Sequence, residues 1–136
     1  MFRTFDHTAD VGIEAEADSR EELFAEMARA LFSLIVERPE AIEPLRQVTV
    51  ELPPDDDDYL LFDWLNELLF RFDTDRLVFG RFEVRLDESG LHGTVAGEPL
   101  DPARHQLGHE VKAITYHELR LWEENGRWKA RVIVDI

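Results

Sequence analysis

The sequence contains no cysteine. That excludes both disulfides and thiolate metal sites. No apolar run is long enough to span a bilayer. Met1-Phe2-Arg3 leads straight into polar residues, without the apolar stretch of a signal peptide. These absences set the expectation of a cytoplasmic chain with no membrane contact. Positive charge is scarce as well. Fifteen Lys and Arg stand against thirty Asp and Glu, a formal net charge of -15. Sequence-independent affinity for nucleic acid comes mostly from Lys and Arg neutralising phosphates. Stable nucleic-acid binding by the chain alone is therefore not expected. Such an acidic chain attracts a basic partner protein or divalent cations, although acidic surfaces also simply keep proteins soluble.

What is present suffices for a core. The 136 residues are 44% hydrophobic, ordinary for a single globular domain. Val11, Ile13, Ala15 and Ala17 alternate with Glu14, Glu16 and Asp18, which reads as a half-buried strand over 11–18. Ser19 with Glu22 three residues on forms a capping box. Leu23, Phe24, Met27, Leu31, Leu34 and Ile35 then recur at helical spacing over 19–36. Pro39 and Pro44 break that helix. A second strand covers 48–52 and ends at Pro53-Pro54. The acidic run 55–58 precedes a strongly apolar helix over 59–72, and it reads as N-terminal capping rather than a metal site. Leu60, Leu61, Trp64, Leu65, Leu68, Leu69 and Phe72 cover much of that helix, which should make it the more buried of the two. Strands follow over 77–86 and 91–95, turning at Asp87-Glu88-Ser89-Gly90. Residues 97–110 read as a loop, with His105 and His109 on its surface.

Asn125-Gly126 lies between two β-type runs, 111–122 and 127–136, and is a strong hairpin signal. A two-residue turn pairs Glu124 with Arg127. Counting back puts Trp122 opposite Lys129, Leu119 opposite Val132 and Tyr116 opposite Asp135. Lys112, Tyr116 and Asp135 then share one face, with Ile114 and Ile133 interspersed there, and His117 falls on the core face. A bulge would reverse that last assignment. Both lysines of the chain, Lys112 and Lys129, sit in this hairpin. Arginine is preferred everywhere else, which suggests that Lys112 is chosen for its own chemistry.

The stretch Phe5-Asp6-His7-Thr8-Ala9-Asp10 concentrates metal-capable and proton-capable groups. Read alone it is a polar turn, because Asp and Thr bond to nearby backbone. The far end of the chain changes that. The α-carboxylate of Ile136 is expected one residue beyond the Asp135 side chain. Two carboxylates this close repel unless a cation lies between them. Asp10 would add a third. Carboxylate and water oxygens around a hard ion describe Ca²⁺ or Mg²⁺ more than Zn²⁺.

Together, Asp6-His7-Thr8-Ala9-Asp10-Val11-Gly12-Ile13, Val111-Lys112-Ala113-Ile114-Thr115-Tyr116-His117 and the terminal Val134-Asp135-Ile136 resemble the archease family. The resemblance covers the whole chain in order and length. It implies a protein cofactor, not an enzyme, that helps an RtcB-type tRNA-splicing RNA ligase become guanylylated by GTP and turn over many times. It implies a divalent metal, Ca²⁺ or Mg²⁺, with Mn²⁺ an alternative at the ligase. The family's metal site falls on Asp10, Asp135 and Ile136. Asp6, His7, Lys112, Tyr116 and His117 match family motifs without a settled role. The fold expected is α+β, a single domain with a mixed sheet of about six or seven strands on two helices. Two other readings compete. One is a metal-dependent phosphohydrolase using Asp6-His7, which would need more histidines in register. The other is an acidic binding module without metal. Oligomeric state is open.

Overall fold

The computed structural model of the chain describes residues 1–7 and 10–136. Thr8, Ala9 and the side chain of His7 lie outside the described residues, and with them the turn expected there. Ser19 starts the first helix as its spacing predicts. Its hydroxyl accepts from the Glu22 amide at 3.1 Å, and α1 (Arg20–Ile35) follows. The predicted apolar stripe faces inward, with Ala25, Ala28 and Ala30 buried beside it. These small residues let α1 lie between two sheets and touch both.

Ten of the 16 residues of α1 are buried, against seven of the 19 in α2 (Asp57–Asp75). This reverses the expected order. The large apolar residues of α2 line one side only, and Tyr59, Asp63, Asn66 and Phe70 open to solvent. The run 55–58 leads into the helix, which starts two residues earlier than expected and holds Asp57 and Asp58 in its first turn. Asp56 holds the N-cap position without a side-chain bond. Asp57 pairs with Arg20 at 3.2 Å, and Asp58 accepts from the Leu121 amide at 2.8 Å. The acids therefore also tie α2 to its neighbours.

Among the described residues, eight strands form two sheets, and every pairing is antiparallel. In the first sheet β1 (Phe2–His7) pairs with β2 (Asp10–Ala17), and β2 with β8 (Arg127–Asp135). Two short strands, β6 (Ala113–Ile114) and β7 (Arg120–Glu124), share the far edge of β8. In the second sheet β5 (Gly90–Pro99) lies between β3 (Arg46–Leu52) and β4 (Leu77–Asp87). One continuous apolar core joins both sheets to α1 and α2, so the α+β class read from sequence is the class observed. Among the described residues no helix is long and apolar enough to cross a membrane.

The C-terminal hairpin begins as predicted. Asn125 and Gly126 both take positive φ, 54° and 76°, which a two-residue primed turn requires. Glu124 faces Arg127, and Trp122 faces Lys129. The ladder then breaks after Arg120 and Arg131 and resumes with Ile114 opposite Val134 and Ala113 opposite Asp135. The register has slipped by three residues, so Ala113 stands where Tyr116 was expected and Leu119 does not pair with Val132. Thr115 causes the break. Its hydroxyl and its amide both donate to the Ile133 carbonyl, at 2.7 and 3.3 Å. The same hydroxyl accepts from the His117 amide at 3.1 Å. A side chain has replaced ladder bonds, and Glu118 turns the chain at φ 55°. Ile114 and Ile133 are consequently buried, and His117 is exposed rather than in the core.

Residues 97–110 are not a plain loop. Gly97–Pro99 completes β5, and Asp101 caps a one-turn helix, α3 (Pro102–His105). Asp101 accepts from the Ala103 amide at 3.1 Å, with Pro102 in the first helical position. His105 is therefore fully buried, contrary to the surface position expected for it, whereas His109 is exposed.

Candidate functional site

Val11 and Val134 pair across β2 and β8 and point into the core. By strand alternation, the next pair points to the sheet face away from α1. That pair is Asp10 and Asp135, directly opposite each other and half-buried. The same row continues to His7 on β1 and Ala113 on β6. Asp6, by contrast, stands opposite Val11 and is exposed. It belongs to β1, not to a loop, and is out of register with the carboxylate pair. Ile136 follows Asp135 and packs its side chain against the core.

Among the described residues, no side chain donates to or forms an ion pair with either Asp10 or Asp135. Like charges directly opposite on a sheet repel. The structure thus holds two carboxylates together and supplies no cation of its own among the described residues. Among the described residues, no group of three His, Asp or Glu side chains forms a ready metal cage there either. Two side-chain carboxylates and main-chain oxygen at Ile136 are an oxygen-only donor set. That set fits Ca²⁺ or Mg²⁺, which complete their shells with water.

The row beside the carboxylates is braced. Phe5 lies over Gly12, and its ring atoms occupy the space a Cβ would take, at 1.9 Å from the ideal position. The Arg131 guanidinium sits 4.1 Å above the Phe5 ring. Arg131 also pairs with Glu14 and Glu118, each at 3.0 Å, and so ties the segment 115–119 to the sheet.

The Lys112 amide donates to the Asp135 carbonyl at 2.8 Å, which sets Lys112 beside the end of β8 with its side chain exposed. Tyr116 does not face Asp135. Its ring stacks on Phe62 of α2 at 4.1 Å and 15°, and meets Tyr59 edge-on at 6.1 Å. His117 lies 3.7 Å from Glu118.

Two other histidines serve structure. His92 bridges Asp87, at 3.0 Å, and Glu51 on the second sheet. Its bond to Asp87, then that to Glu51, raises its pKa. The Ser89 hydroxyl, then His92, holds Asp87 at about 2. His105 accepts from the Asp101 amide through Nδ1 at 2.9 Å, leaving Nε2 to donate to Glu98 at 3.1 Å. Burial alone would raise the pKa of Glu98, but Arg104, the Glu43 amide and His105 hold it at about 2. This buried network was missed in the sequence. The Asp101-Pro102 pair, a cap followed by a first-turn proline, was the available signal. His92 and His105 are thus committed to carboxylates on elements other than β1, the strand that carries Asp6.

Fold and site together define a small antiparallel α+β protein with Asp10, Asp135 and Lys112 brought together where β2, β6 and β8 meet. Comparison with known proteins is consistent along its length. The model of the Archease protein family (MTH1598/TM1083) matches residues 2–136. Protein archease of Methanopyrus kandleri is 43% identical, over 96% of this chain and 96% of its own length. Protein archease of Pyrococcus furiosus is 39% identical, over 97% and 96%. The solution structure of Methanobacterium thermoautotrophicum protein 1598 superposes with a TM-score of 0.82 at 37% identity, covering 99% of this chain and 98% of that one. The Thermotoga maritima crystal structure, described as an archease and possible chaperone, shares the fold with a TM-score of 0.69 at 24% identity, over 98% and 96%. The chain belongs to the archease family.

Proposed function

We propose that this chain is a protein cofactor of an RtcB-type RNA ligase, promoting the ligase's GTP-dependent guanylylation and its multiple turnover. The observation that carries the reading is the carboxylate pair, Asp10 opposite Asp135 with no cation of their own among the described residues. Asp10, Asp135 and main-chain oxygen at Ile136 would hold a divalent ion. Bound there, the ion supplies positive charge to set against nucleotide phosphates. The remaining work belongs to the chain. The β2–β8 pairing fixes the spacing of the two carboxylates before any partner arrives. The bond from the Lys112 amide to Asp135 holds Lys112 at the rim, where its ammonium can meet a phosphate as a point charge. The net charge of -15 steers the chain toward a basic surface, such as the RNA-binding face of a ligase. No bond is made or broken on the chain itself, and nucleic acid is met only through the ligase.

The test is GMP transfer. A cognate ligase incubated with labelled GTP and divalent metal should accumulate protein-bound GMP faster when the chain is added. An unchanged rate with a folded chain refutes the reading, and phosphatase activity of the chain alone would replace it.

A further inference from the structure

Three aromatic rings stand together at the surface, with Phe62 packed against the core beneath them. Tyr116 is 61% exposed and Tyr59 50% exposed, yet the Tyr116 ring stacks on Phe62 and the Tyr59 ring meets Tyr116 edge-on. The outer stripe of α2 continues through Asp63 and Asn66 to Phe70, which is 57% exposed. Asp63 follows Phe62 and sits one helical turn beyond Tyr59, and Asp55 lies four residues before Tyr59, at the entry to α2. Partial burial, then the nearby Asp55 charge, raises the pKa of Asp63. Among the described residues neither Asp55 nor Asp63 has an ion-pair partner. Aromatic faces beside unpaired carboxylates are complementary to one group above others. A guanidinium stacks on the ring and bonds the carboxylate in the same pose.

We infer that the Tyr59–Phe62–Tyr116 patch, with Asp55 and Asp63, is the anchoring surface for an arginine-bearing basic face of a protein partner. A second copy of the chain would set Asp55 and Asp63 against themselves on a partner equally negative. A nucleic acid or an anionic membrane would meet the same repulsion. The location fits the partner reading. Tyr116 follows Thr115, which is bonded to Ile133, two residues before Asp135. The segment that carries Tyr116 is thereby joined to β8, the strand that carries Asp135. This inference rests on the proposed ligase as partner.

The experiment is a binding titration of the labelled chain with a cognate RtcB-type ligase, at low and at physiological salt, alongside the stimulation assay. Tyr116→Ala should weaken binding about tenfold or more, and raising its concentration should restore full stimulation. Tyr116→Phe keeps the ring and should bind like the parent chain. Asp63→Asn should weaken binding and flatten its salt dependence. Melting curves of each variant establish that it is folded. Equal binding by the folded Tyr116→Ala and Asp63→Asn variants, while the parent chain still stimulates, overturns the patch and leaves the ligase reading intact. A parent chain that neither binds nor stimulates overturns both.

Discussion

Replacing Asp10 by Asn should make the metal-free chain more stable and the metal-loaded chain less so. Asp10 and Asp135 are directly opposed on neighbouring strands. Opposed residues place their Cβ atoms about 5 Å apart. Two unit charges at that separation repel by roughly 0.8 kcal/mol in bulk water and roughly 3 kcal/mol at an effective dielectric of 20. Both residues are half-buried, so a value near the lower end, about 1 kcal/mol, applies. Asn keeps the shape and removes one charge. In chelator the variant should therefore melt about 3–4 °C above the parent chain. A divalent ion reverses the order. At one hundred times its dissociation constant, it stabilises the parent chain by about 2.7 kcal/mol. The variant, left with one side-chain carboxylate, should respond far less. Circular dichroism melts in EDTA and in excess Ca²⁺ or Mg²⁺ read both effects. A variant that melts below the parent in EDTA, or gains as much from metal, would refute the reasoning.

Other outcomes follow from the braces around the site. Gly12→Ala drives a methyl group into the Phe5 ring and displaces the ring beneath Arg131, so denaturant unfolding should show a loss of about 1–3 kcal/mol. Glu98→Gln breaks a buried network and should cost about 3 kcal/mol. Glu98 is held at about 2, below its unfolded value of 4.5, so its stabilisation is complete above pH 4.5 and drains as pH falls toward 2. Stability curves of parent and Gln variant should therefore converge on acidification, and parallel curves would show that the shift is absent. Asp58→Ala removes the acceptor of the Leu121 amide, so hydrogen exchange at Leu121 should speed up, with about 1 kcal/mol lost.

Much of the scaffold was legible because its signals are local. The Ser19 cap, the stripe of α1 and the Asn125-Gly126 turn each rest on residues within a few positions of one another. What was not legible depends on distant partners. The hairpin register follows from the turn as far as Arg120 and Arg131 and then shifts, because the Thr115 hydroxyl bonds Ile133 and expels residues 115–119 from the ladder. His105 looked like a surface loop residue because its partner, Glu98, comes from the end of a strand that alternation did not extend so far. Large side chains alone do not reveal the relative burial of the helices, because the buried alanines let α1 sit between the sheets. For the site, the grouping of Asp10 with Asp135 follows from two strands meeting, and the register places them face to face. Tyr116 leaves the ladder and turns toward α2, and Ala113 takes the place opposite Asp135.

The most direct measurement is ligase turnover with broken RNA in excess. A cognate RtcB-type ligase is supplied with GTP and divalent metal, with and without this chain or its Asp10→Ala and Asp135→Ala variants. The account predicts that the parent chain converts a ligase that stops after about one cycle into one that completes many, and that both folded variants lose this effect. Equal stimulation by the two variants would contradict the carboxylate site. No stimulation by the parent chain would contradict the function itself.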